Sequence, residues 1–99
     1  MYDTRELIKF HIKEFNWYYT RYTANSLSAA QVDNDLDGVA EKLLRVNPNW
    51  WRSKPLPNIQ APKNTRLPHN LVKYALAIQA INDLLFEVTS HKEKFNMPI

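Results

Sequence analysis

A small all-α bundle of three main helices is what this sequence predicts. Apolar residues recur at steps of three and four in three separate segments, and the composition is rich in aromatics with one glycine. No cysteine is present, so packing and not cross-linking has to hold the chain together, and a thiolate metal site is excluded. Ninety-nine residues with 44% hydrophobic content suffice for one compact domain, residues 1–99, with a modest core.

The first helix is expected over about residues 4–23, where Ile8, Ile12, Phe15, Tyr19 and Tyr22 follow steps of four and three along one face. The second, over about 28–46, repeats those steps with Val32, Leu36, Val39, Leu43 and Val46. Its start is marked by Ser28-Ala29-Ala30-Gln31, a capping-box spacing in which a serine hydroxyl can accept an N–H three residues on. Asn25 to Leu27 are then the connection, and the two matched seams predict antiparallel packing.

The third helix is expected over about 68–92. Pro68 suits a first turn, where its missing N–H would have no partner anyway. Leu71, Tyr74, Ala75, Ile78, Ile81, Leu85 and Val88 make one broad apolar face, and Val72, Leu76, Ala80, Leu84 and Phe86 spread around the rest. A helix apolar nearly all round has to be covered on several sides, by both other helices, by the loop, or by a second copy of the chain.

Within the second segment, Asp33, Asp35, Asp37 and Gly38 match positions 1, 3, 5 and 6 of a calcium-binding loop. Position 12, which should be a bidentate Glu, is Leu44, and the seam residues Leu36 and Val39 run straight through the stretch. The helical reading is preferred, with the acids as solvated positions near a helix start and Gly38 as the point where a break would fall. His11 with Glu14, or Glu87 with His91, could share a helix face, but two ligands do not make a metal site. No phosphate loop or nucleophile arrangement is legible, so neither an enzyme, a cofactor nor a small-molecule substrate is predicted.

Charge is segregated along the chain. Residues 42–82 carry seven basic side chains and no acid, against net charges of −3 for residues 1–41 and −1 for 83–99. Inside the basic stretch lies a proline-rich loop, residues 47–67, in which Pro48, Pro55, Pro57 and Pro62 deny helix geometry. Trp50 and Trp51 beside Arg52 and Lys54, with Lys63 and Arg66 further on, combine stacking planes with phosphate-neutralising charge. A nucleic-acid contact through these residues is one expectation, weighed against tryptophans that cap the core and cations that keep the loop soluble.

The alternative is a protein-interaction module, acting as adaptor, inhibitor or homodimeric regulator. Phe10 and Trp17 lie seven residues apart opposite the first helix's seam, with Lys13, Glu14 and Arg21 beside them, the composition of an interface hot spot. The third helix is the preferred cover for this pair; failing that, a partner or a second copy is required. No apolar run reaches membrane-spanning length, and the start MYDTRELIK lacks a signal peptide's basic-then-apolar order. A cytoplasmic location without membrane contact is the expectation.

Overall fold

The computed structural model describes residues 4–45, 59–60 and 66–97. They form an all-α bundle of α1 (Thr4–Thr23), α2 (Ala29–Asp35), α3 (Val39–Leu43) and α4 (His69–Thr89), with no strand among the described residues. Most of the expected loop, including Trp50 and Trp51, lies outside the described residues. No helix among the described residues is long and apolar enough to cross a membrane.

The end of α1 and the start of α2 follow from local chemistry. Asn25 adopts a left-handed φ of 62°, a conformation Asn tolerates better than most residues. This lets Ser26 N–H donate to the Arg21 carbonyl at 2.8 Å and Asn25 N–H to that of Tyr22 at 3.0 Å, which satisfies two carbonyls of the last turn. Three residues later the Ser28 hydroxyl accepts the Gln31 N–H at 3.1 Å and opens α2.

The segment expected as one helix over 28–46 is two short helices. The cause is Gly38, whose φ of 74° lies in the left-handed region that a side chain makes costly. A Cβ there would meet nothing within 4 Å, so the glycine is required by the backbone turn and not by crowding. The break re-aims the expected seam: Val32, Leu36 and Leu43 are buried, but Val39 is half-buried and Ala40 and Leu44 enter the core after the turn, while Val46 lies outside the described residues.

α4 is the wall against which α1, α2 and α3 all pack. Leu71, Val72, Tyr74, Ala75, Ala77, Ile78, Ile81 and Leu85 are buried along it, at roughly 1.5–3 kcal/mol for each large aliphatic side chain. That explains a helix apolar on nearly every side. Its final turn differs from expectation: Phe86 is 50% and Val88 62% exposed, and each residue from Phe86 to Thr89 is exposed.

α4 also stops at Thr89, short of the expected Lys92. Ser90 takes a left-handed φ of 58° and donates its N–H to the Phe86 carbonyl at 2.8 Å, and the chain turns back. The tail then runs alongside the bundle, where Asn82, 1% exposed, receives it. The Asn82 amide donates to the Glu93 carbonyl at 2.7 Å, and its oxygen accepts the Glu93 N–H at 3.0 Å. Thus anchored, Phe95 sets its ring edge-on to Phe15 at 5.5 Å.

Candidate functional site

Two faces of α1 have opposite fates. Leu7, Ile8 and Phe15 are buried against the rest of the bundle, with Ile12, Tyr19 and Tyr22 packed at its margin. On the other side Phe10 is 54% and Trp17 46% exposed. The expectation that the third helix would cover these two aromatics is therefore corrected, since α4 takes up the seam side and has no second face to offer.

At about 100° of turn per residue, Glu6, Phe10, Lys13, Glu14, Trp17 and Arg21 fall within an arc of about 100° on α1. The aromatics of this stripe are held by their neighbours. The Arg21 guanidinium lies 4.1 Å from the centre of the Trp17 ring, and the Tyr18 ring stands edge-on to Trp17 at 4.9 Å. Phe10 meets the His11 ring edge-on at 5.1 Å. Two open grooves flank the stripe. One, of about 430 Å³, is lined by Phe10, Lys13, Glu14, Trp17 and Tyr18, and the other, of about 530 Å³, lies towards the tail residues Glu93 and Lys94.

Beneath the first groove is a small polar network that ties α1 to α4. The Tyr74 hydroxyl, with no exposure, meets Nδ1 of His11 at 2.5 Å. Burial, then the charge of Glu14, raises the Tyr74 hydroxyl far above its ordinary range. Burial also lowers His11 from its usual value of 6.5. Tyr18 is raised by burial and by the charges of Asp35 and Glu14. The shifts on His11 and Tyr74 favour their neutral forms at neutral pH, which suits a cross-helix tie better than a proton-transfer pair.

Of the residues singled out in the basic loop, Trp50, Trp51, Arg52, Lys54 and Lys63 lie outside the described residues. Arg66 is exposed, and its carbonyl accepts the Tyr22 hydroxyl at 3.2 Å, so its backbone is fixed to the end of α1 while its side chain faces solvent. Lys73 is committed to an ion pair with Glu41 across α3 and α4, which lowers the Glu41 carboxyl through the hydrogen bond between them.

The acids of the second segment are separated in use. The Asp33 carboxylate accepts the Asn70 N–H at 2.8 Å, at the first turn of α4, while Asp35 and Asp37 are exposed. His91 pairs with Glu93 at 2.9 Å. Among the described residues no three His, Asp or Glu side chains converge on a point where a metal could sit.

Asn82 and the capping role of Asp33 were not anticipated from sequence. A signal for the first existed: Asn82 lies four residues after Ile78 and seven after Ala75, a polar side chain on an otherwise apolar seam. Comparison with family models, with curated proteins and with solved structures finds no match for this chain.

Proposed function

We propose that this protein is a non-enzymatic protein-interaction module whose contact surface is the Phe10–Trp17 stripe of α1. The observation that carries this is the pair of large aromatics, each about half exposed and each fixed by a neighbouring ring or guanidinium. Fixed aromatics lose little conformational entropy on binding, and with Arg21, Lys13 and Glu14 around them they have the make-up of a hot spot with a polar rim. The grooves on either side suit an amphipathic helix laid along α1.

Selection of displayed helical peptides against the protein, followed by titration of the recovered peptides, tests this. Peptides that bind the wild-type chain, tolerate salt and lose at least about tenfold in affinity for Trp17→Ala are expected. Recovery of only peptides indifferent to both Phe10→Ala and Trp17→Ala would reject the α1 surface.

Nucleic-acid binding is the second proposed function, favoured by the seven basic side chains and absence of acids over residues 42–82. Trp50, Trp51, Arg52, Lys54, Lys63 and Arg66 would supply it. Saturable tryptophan quenching by DNA or RNA, weakened by salt and abolished in Arg52→Ala/Lys54→Ala, is the expected result; no quenching by either would dismiss it.

A further inference from the structure

The contacts that seat residues 91–97 on the bundle can be made as well by the same residues of another copy, and from this we infer that two copies of the chain exchange these arms about a hinge at Ser90. The site each chain offers is the surface of α1 and α4 on which its own arm lies, and the occupant is residues 91–97 of a second copy. The inference does not rest on the Phe10–Trp17 stripe and adds a contact of the chain with itself to the function proposed above.

Asn82, 1% exposed on the apolar seam of α4, bonds through both ends of its amide to the backbone N–H and carbonyl of Glu93. An amide buried in this way requires a length of backbone beside it, since without one both of its polar atoms would go unsatisfied in the core. Next to it the Asp83 carboxylate meets Lys92 at 2.6 Å, and further along the arm Phe95 stands edge-on to Phe15 while Met97 packs against the core. All of these partners lie in α1 or α4 and none in the hinge, so the arm of an identical chain satisfies them equally.

The hinge carries the reason to exchange. To fold its own arm back, the chain holds Ser90 at a left-handed φ of 58°, a conformation that helix ends ordinarily give to glycine. Turned to the extended region, Ser90 sends the arm straight on from α4 instead. Asn82 lies eight residues before Ser90, about 12 Å along the helix, and Glu93 three residues after it, about 10 Å of extended chain. These lengths match for a two-fold axis across the end of α4: the second α4 runs the opposite way, and Glu93 of each chain comes level with Asn82 of the other. The last turn of one α4 then lies beside that of the other, and this is the turn whose apolar Phe86 and Val88 are exposed in the single chain. A chain's own arm is tethered and wins at low concentration; the exchanged pair gains as concentration rises, and slowly, because one arm has to leave before another enters.

Light scattering on the full chain, both concentrated and refolded from urea at high concentration, is expected to show monomer and dimer that interconvert slowly. Ser90→Gly, which accepts the left-handed turn freely, is expected to lower the dimer share by at least about threefold, and Ser90→Val, whose branched side chain opposes that turn, to raise it by at least about as much. Because the chain has no cysteine, the crossing itself can be read. Asp83→Cys and Lys92→Cys, prepared separately and refolded together, are expected to be joined by a short bis-maleimide into a mixed pair in preference to pairs of one variant. Both side chains are about half exposed, so neither change removes core packing.

A chain that stays monomeric after both treatments would overturn the inference, as would a dimer whose share is the same in Ser90→Gly and Ser90→Val. A dimer without preferential linkage of position 83 to position 92 would place the contact elsewhere and also overturn it. Trp17-dependent peptide binding is read separately, so the protein-interaction function stands or falls by its own test.

Discussion

Asp33 and Asn70 exchange two hydrogen bonds across 37 positions of sequence: the Asp33 carboxylate accepts the Asn70 N–H at 2.8 Å, and the Asn70 side-chain amide donates to the Asp33 carbonyl at 2.7 Å. Pro68, at the N-cap of α4, has no side chain able to do this, so the cap comes from α2. Asp33→Ala is expected to destabilise the protein by about 1–2 kcal/mol in urea unfolding, and Asp33→Asn by less because it keeps an acceptor. Equal losses for the two would mean that the carboxylate's charge, not its geometry, matters there.

Asn82 offers a second test of a polar contact. Its amide satisfies both backbone groups of Glu93, which fastens the tail that carries Phe95 to Phe15. Asn82→Ala is expected to cost about 1–3 kcal/mol and to open residues 91–97 to limited proteolysis. Unchanged cleavage in that stretch would indicate that Phe95 alone secures it.

Gly38→Ala separates backbone strain from crowding. Since an added Cβ meets no atom within 4 Å, the expected loss of about 1–2 kcal/mol is that of the left-handed φ alone. Gly38→Asn should lose less than Gly38→Ala. Stabilisation by Gly38→Ala would mean that α2 and α3 can fuse without disturbing the core.

His11 gives the fold a dependence on pH whose sign is fixed by burial. Its proton leaves more easily in the folded chain than at the ordinary value of 6.5, so between those two points the unfolded chain binds more protons. Stability from this group is complete above 6.5 and falls as pH drops towards the lowered folded value. Glu41, lowered from 4.5 by its bond to Lys73, adds its own loss only below 4.5. Urea midpoints should therefore decline as pH falls below 6.5, and His11→Gln should flatten that decline.

The sequence showed the helices more readily than their ends, for a physical reason. Burial is periodic and acts over whole segments, so the seams Ile8–Phe15, Val32–Leu43 and Leu71–Leu85 could be read directly. Ends and breaks hinge on single residues whose partners are remote. Gly38 could be flagged but not decided between a tolerated helical glycine and a turn, and the cap on Asn70 needed a contact that spacing cannot reveal. For the α1 stripe, the sequence identified Phe10, Trp17 and Arg21 but not whether α4 would hide them. That depended on α4 being fully occupied by the other face of α1 and by α2 and α3.

That occupancy of α4 also bears on how the molecule opens. From Asn70 to Asn82 every residue is buried or half-buried, and all three other helices lean on this stretch. Detaching any one of them strands an apolar strip of α4 in water, so partial opening gains little. Amide protons from Tyr74 to Ile81 should then exchange with solvent only when the whole described bundle comes apart. Those of Phe86 to Thr89 should exchange by fraying, which makes α4 slow at its middle and fast at its end.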